Sequence, residues 1–390
     1  MYQDATYKDA APPAVPSSFS LAQVRHIVKD LFVPKAWIYW IDFLGSMFLG
    51  GLCYVAVHRG IPDSRAVQLV LFLASGVCFY RATLFTHELV HLREGKFRAF
   101  RVVWNLLCGI PFLIPTFMYY THVDHHMRSH YGTRRDGEYL PFGTGRPIDI
   151  PLYLVQPFVI PVVAFVRFLV LTPLCWLSPA LRSWTHVHAS SMVMDPSYIR
   201  PAPTPKTLRI FRWQETACFL LTLVVAIRVV TGTMPISMLV QSYLTGVLVL
   251  MINNVRTLGA HRYITGRKEV TFVEQLLDSV NYPEPSLLTP LWAPVGLRYH
   301  ALHHLCPSLP YHSMGEAHRR LMEQLPADSP YRRTNSRSLW TALKELWATA
   351  KRNQAAGAPP SEQPTPAIAE PGPAPRRSIL ESGQRKESVS

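Results

Sequence analysis

Four long apolar stretches, at about 37–57, 66–86, 213–232 and 236–255, set the pattern of this chain, and each approaches the ~20 residues with which an α-helix crosses a hydrocarbon core. They fall into two pairs. The first pair is joined around Pro62 and Asp63, the second through the uncharged turn Gly232-Thr233-Met234-Pro235. Such pairing predicts two hairpins, each returning the chain to the side from which it entered. Two further apolar stretches are broken differently: 102–120 contains Asn105, Pro111 and Pro115, and 152–177 contains Pro157, Pro161, Arg167 and Pro173. We expect a re-entrant or interfacial segment for the first and a pair of surface-lying helices for the second.

Charge fixes the expected orientation. Arg25, Lys29 and Lys35 precede the first span; Arg93, Lys96, Arg98 and Arg101 follow the second; Arg256, Arg262, Arg267 and Lys268 follow the fourth. Basic residues gather at the cytosolic ends of membrane helices, so both termini are expected in the cytosol. The excess of 39 Lys+Arg over 25 Asp+Glu in 390 residues is read as this bias and not as a nucleic-acid surface, for which no motif is present. Arg81, inside the second span, is expected to face the protein interior or to reach the headgroups. The first 20 residues are polar and rich in Pro, Ala and Ser, without the pattern of a cleavable signal. Six cysteines stand singly, most within apolar stretches, as small buried residues do.

The expected organisation is all-α: an N-terminal cytosolic segment at 1–35, a membrane region at 36–255 and a cytosolic helical cap at 256–352. The cap ends in a helical pattern around Leu339, Leu343, Leu346 and Trp347. A Pro/Ala/Gly/Ser-rich tail at 353–390 has too little apolar surface to order itself.

Against this background the histidines stand out. His87 and His91 lie four apart at the end of the second span, and His-x-x-His-His occurs at 122–126 and again at 300–304. In a helix these spacings gather the rings on one face. One ion takes about four to six ligands, so this number of converging imidazoles implies two metals. His261, just past the fourth span, is the isolated candidate. All clusters meet on one side only if 102–120 and 152–177 both fail to cross, or both cross. His130, His186, His188, His312 and His318 lack paired spacing and are expected in supporting or surface positions; His26 and His58 are expected to be uninvolved.

His87-Glu88-Leu89-Val90-His91, His122-Val123-Asp124-His125-His126 and His300-Ala301-Leu302-His303-His304 resemble the three histidine boxes of membrane fatty-acid desaturases and their hydroxylase relatives. The segment His304-Leu305-Cys306-Pro307-Ser308-Leu309-Pro310-Tyr311-His312 is similar to the one that follows the third box in acyl desaturases. The resemblance implies four membrane helices under a cytosolic cap and a di-iron centre. Its ligands would be His87, His91, His122, His125, His126, His261, His300, His303 and His304. In relatives resembling the animal stearoyl desaturases an Asn four residues before the isolated His supports one iron through water. Thr257 stands there in this chain, with Asn253 and Asn254 one turn earlier. Glu88, Asp124, Thr257, Asn254 and His312 are the candidates for groups that orient the ligands.

The implied chemistry is attack on an unactivated C–H bond by O₂ reduced at two irons, with electrons from a separate ferredoxin, rubredoxin or b-type cytochrome, because the chain lacks a haem or iron–sulfur motif. A membrane lipid or acyl chain is the expected substrate and acyl desaturation the expected reaction. Hydroxylation or ketolation of a lipid, carotenoid or alkane at the same centre is the alternative, and a metal transporter or sensor a remote one. We expect the substrate beside Leu291, Trp292 and the second and fourth spans, and Arg262, Lys268 and Arg298 near a headgroup, acyl carrier or electron donor.

Overall fold

The computed structural model describes residues 19–92, 95 and 97–356. Of the expected tails, residues 1–18 and 357–390 lie outside the described residues, as do Arg93 and Lys96. Among the described residues the protein is all-helical, with isolated β-bridges and no strand. It starts with the short helix α1 (Leu21–Ile27), followed by α2 (Ala36–His58) and α3 (Arg65–Thr83), which pack as an antiparallel hairpin. After a turn at Leu84 the same rod continues as α4 (Phe85–His91). The composite Arg65–His91 has 27 residues, about 40 Å at 1.5 Å per residue, longer than the roughly 30 Å core. Its last turns, which carry His87 and His91, can therefore project beyond the hydrocarbon.

The next apolar segment is short. Helix α5 (Arg98–Trp104) passes into a π-turn at Asn105–Gly109, and Leu113, at a positive φ of 57°, reverses the chain. Residues 98–109 reach only about 18 Å, so the chain dips and returns to α6 (His122–His126). Asn105 secures the return: its carbonyl oxygen accepts from the Thr116 amide at 3.0 Å, and its amide donates to the Arg101 carbonyl and the Thr116 hydroxyl.

Where two surface-lying helices are expected over 152–177, the structure has one continuous rod. Helices α7 (Asp149–Tyr153), α8 (Gln156–Val166) and α9 (Thr172–Leu177), with a π-turn at Arg167–Leu171, form one rod. This rod of 29 residues is long and apolar enough to cross a bilayer, so five helices meet that criterion by length and composition, not four. Its prolines are accommodated: Pro157 and Pro173 sit in the opening turns of α8 and α9, and Pro161 lies beside Gly246. The chain then folds back: α10 (Pro179–His188) packs along α9, and Arg167 donates to the Ala189 carbonyl at 2.9 Å. Arg167 also pairs with Glu215 of α11 (Pro205–Val230), which leads through the second hairpin into α12 (Ile236–Leu258). Both helices of this hairpin reach further into the polar flanks than the apolar runs indicated.

Large apolar side chains cover the outside of these rods, including Phe48, Val70, Val162, Val163, Val224 and Val240, each about half exposed or more. Such a belt is stable against lipid and not against water, and the protein is a multi-pass membrane protein. Inside, Gly76 lets α3 approach α12, since a Cβ there would lie 2.2 Å from Leu248. Arg81 faces inward onto Asp42 at 2.5 Å, and the Tyr311 hydroxyl donates to the same carboxylate.

The remaining helices, α13 (Phe272–Asp278), α14 (Thr289–Trp292), α15 (His300–Leu305), α16 (Met314–Gln324) and α17 (Leu339–Ala355), form the cap. Val24 and Val28 of the N-terminal segment are buried against Leu302, Leu305 and Leu321, so α1 belongs to the cap core and not to a free cytosolic arm. A capping box between Thr271 and Glu274 starts α13. Asn281 then locks α15: its side-chain oxygen accepts from the Leu302 amide at 3.1 Å while its backbone bridges to Tyr299 and Asn335.

Candidate metal centre

The three helical turns α4, α6 and α15 and the bridge at His261↔Ser279 converge. They gather two groups of imidazoles: His87, His91, His122, His126 and His303, and separately His125, His261, His300 and His304. Within each group the ligand nitrogens lie within 4.8 Å of one another. Helical spacing explains the sorting. In α6, His122 and His126 are one turn apart and enter the first group, while His125 turns to the second; in α15, His300 and His304 enter the second and His303 the first.

The protonation pattern shows that these groups suit cations. His125 Nδ1 lies 2.8 Å from Asp136 and His122 Nδ1 2.9 Å from Glu138, so each ring gives its Nδ1 proton to a carboxylate and keeps a lone pair on Nε2. The Tyr131 hydroxyl donates to Asp278 at 2.5 Å and therefore accepts from His261 Nδ1 at 2.8 Å, leaving a lone pair on His261 Nε2 as well. Yet His125 Nε2 and His261 Nε2 face each other at 3.2 Å, and His300 Nε2 lies 2.9 Å from His261 Nε2. Two lone pairs cannot hydrogen-bond without a proton between them, and a shared cation resolves the conflict. In the first group, His87 Nε2 and His91 Nε2 are buried with no hydrogen-bond partner, the state expected of metal-ligand nitrogens. The donor set fits two ions, with five and four imidazoles.

Electrostatics agree. Burial first, and neighbouring imidazoles second, push His122, His126, His300, His303 and His304 well below the ordinary histidine range, which keeps them neutral and able to ligate. Burial, His125 and Arg256 do the same to His261. Burial also pushes His125 down, but Asp136, with Glu138 and Asp278, outweighs it and raises this ring. Burial lifts Glu138 to about 7 and holds Asp278 above the usual carboxylate range. Buried acids of this kind call for positive charge nearby, which ligated metal would supply.

Residues 64–335 match the family model described as fatty acid desaturase. The chain belongs to the fatty acid desaturase family. A relative from Caulobacter vibrioides named ceramide hydroxylase is 36% identical over 342 residues, covering 85% of this chain and 94% of that protein. No solved structure matches. Membership makes the protein an oxidoreductase.

The groups that orient the rings in this desaturase-family protein differ from those expected. Glu88 turns away from the imidazoles and accepts from the Tyr39 hydroxyl at 2.7 Å. Asp124 accepts from Tyr198 at 3.2 Å and lies 3.5 Å from His130, touching no ring of either group. His312 accepts the Lys35 amide at 3.0 Å and so anchors the start of α2. The Asn254 amide donates to the Tyr153 carbonyl, and the Thr257 carbonyl accepts from Tyr263; both residues line the cavity described below. The groups that do hold the rings are Asp136, Glu138, Tyr131 and, through Tyr131, Asp278. Their signal is weak: Asp136-Gly137-Glu138 follows the second box by about ten residues. Gly137 allows the close approach on which their placement depends, since a Cβ there would lie 2.5 Å from Val193 and 2.8 Å from Tyr198. Of the unpaired histidines, His188 alone reaches the cavity, while His318 bonds Tyr331 at 2.7 Å and His186 lies 3.6 Å from Glu215.

A cavity of about 410 Å³ runs from the imidazoles into the membrane region. His87, His122, His125, His261 and His300 line one end, and Phe112, Leu113, Ile160, Val163, Val249 and Leu250 the other. Its walls are α12, α8, the re-entrant segment and the loop at 188–194. Leu291 and Trp292, expected here, lie elsewhere: Trp292 packs edge-on against Tyr282. Arg298 and Arg262 donate to the Tyr282 and Leu277 carbonyls and so tie neighbouring segments of the cap together.

Proposed function

We propose that this protein hydroxylates the acyl portion of a membrane lipid of the ceramide class, using O₂ and two irons. The observation that carries this reading is a largely apolar cavity that runs from the membrane region to both imidazole groups. The likeness to a protein named ceramide hydroxylase over nearly its whole length supports hydroxylation among the reactions such a cavity permits.

His87, His91, His122, His126 and His303 would hold one iron, and His125, His261, His300 and His304 the other. When bound, the irons supply the oxidising power, drawn from O₂ and two external electrons, that no side chain has. The chain itself positions and excludes. Phe112, Ile160, Val163 and Leu250 hold the acyl chain extended and dry, so that one carbon faces the imidazoles. Asp136, Glu138 and the Tyr131–Asp278 pair fix the ring tautomers. One oxygen atom of O₂ enters the product as hydroxyl and the other leaves as water. The electrons come from a separate ferredoxin, rubredoxin or b-type cytochrome docking on the basic cap, which we place in the cytosol with both termini.

Desaturation is the second reading, favoured by the family itself and by the Pro307–Pro310 segment after the third box. Mass analysis of lipids from expressing cells fed isotopically labelled ceramide distinguishes them. Hydroxylation adds one oxygen, desaturation removes two hydrogens, and unchanged lipids refute both.

A further inference from the structure

Most of the cavity is apolar, but three hydrogen-bonding groups on three different elements face it without partners. Thr86 Oγ1 lies on α4, Arg256 Nε on α12 and Ser191 Oγ in the loop between α10 and α11; all three are buried and unbonded, and all three residues line the cavity. Arg256 is the most unusual of them. A terminal guanidinium nitrogen donates to the Asn253 side-chain oxygen at 3.1 Å, while Nε has no partner. No carboxylate lies within ion-pair distance of it among the described residues. The other cavity arginine, Arg167, is neutralised by Glu215 and bonded to Ala189, Thr172 and Ser190.

A buried guanidinium nitrogen and buried hydroxyls without partners are destabilising unless something supplies the missing bonds. A purely apolar chain filling this cavity supplies none of them. A lipid bearing a carbonyl oxygen and hydroxyl groups supplies all three, with the carbonyl accepting from Arg256 and the hydroxyls exchanging bonds with Ser191 and Thr86. Because His87, His261 and His300 line the same end of the cavity as Arg256, such a polar group would be held close to the reacting carbon.

We propose that Arg256, with Ser191 and Thr86, forms a buried polar subsite that binds the amide and hydroxyl groups of an N-acyl sphingoid lipid. This fixes which acyl carbon meets the metals. The inference rests on the ceramide-oxidation reading above, deepens it to the residues that hold the lipid's polar groups, and is tested by binding as well as turnover. A free fatty acid would satisfy Arg256 through its carboxylate and leave the hydroxyls unmatched. An alkane would satisfy none.

The test uses the full-length, iron-loaded protein in nanodiscs with three probes: N-hexadecanoyl sphinganine, hexadecanoate and hexadecane. Arg256→Met should weaken binding of the amide lipid by roughly tenfold to a hundredfold, the range for a hydrogen bond to a charged donor, and leave hexadecane binding unchanged. Ser191→Ala, remote in sequence from every proposed ligand, should weaken the amide lipid by roughly threefold to tenfold and leave hexadecanoate unchanged. Iron content is measured on each variant, and if Arg256→Met loses iron the Ser191→Ala result decides. Unchanged amide-lipid binding in an iron-replete Arg256→Met, or equal losses for all three probes, overturns the subsite. Selective loss of hexadecanoate alone overturns the amide assignment. If binding behaves as expected but no lipid is oxidised, the subsite stands and the hydroxylase reading falls.

Discussion

The two imidazole groups differ in how many of their rings are held from behind. In the four-histidine group, two rings are tied down from behind, His125 by Asp136 and His261 by Tyr131 backed by Asp278. In the five-histidine group, only His122 has such support, from Glu138, while His87, His91, His126 and His303 keep ring nitrogens with no protein partner. Two of four rings are held in one group and one of five in the other, and His300 and His304, like most of the five, keep a buried Nδ1 without a partner. The lesson is that the same residue type can build a metal site with more or with less of an orienting shell.

The largest effect should come from His303→Ala, which removes a ligand from the packed group and leaves no carboxylate to compensate; lipid oxidation should fall below detection while purified protein loses metal from that group. Asp136→Ala should come next. It leaves His125 a ligand but frees its tautomer, and chelator competition should show about a 10- to 100-fold weaker metal, the range for removing such a support. Tyr131→Phe removes a neutral link from His261 and should weaken metal by roughly fivefold, the scale of one hydrogen bond. If Asp136→Ala and Tyr131→Phe prove as harmless as changes near His87, the contrast between the groups fails.

The smallest effect should follow Asp124→Asn. This acid sits inside the second histidine box, yet it contacts Tyr198 and His130 and neither metal group, so metal content should stay within about twofold of the parent protein. A large loss of metal would show that position within a box matters more than contact.

Much of the architecture was legible because it rests on local periodicity. The helices at 36–58, 65–91 and 236–258 follow from apolar run length, and the clustering of ring nitrogens follows from i, i+3 and i, i+4 spacing in three short helices. The continuity of the Asp149–Leu177 rod is not legible in the sequence, because Pro157, Pro161 and Pro173 read as breaks. Pro157 and Pro173 occupy opening turns of helices, where the missing amide is no loss, and Pro161 is tolerated against α12. The orienting groups were misjudged for another reason. Glu88 and Asp124 are adjacent to ligands in sequence but point off the ligand face, whereas Asp136, Glu138, Tyr131 and Asp278 come from irregular segments whose approach depends on tertiary contacts such as the one Gly137 permits. Sequence neighbours on a helix point in different directions, and loop residues carry no period to reveal them.

The most direct test is metal stoichiometry of the purified full-length protein, compared with His261→Ala. Two adjacent groups of imidazoles predict two iron ions per chain, with His261→Ala losing the ion of the four-histidine group first. A single ion in the parent protein, or two ions retained at full affinity by His261→Ala, would contradict a centre built from these nine histidines.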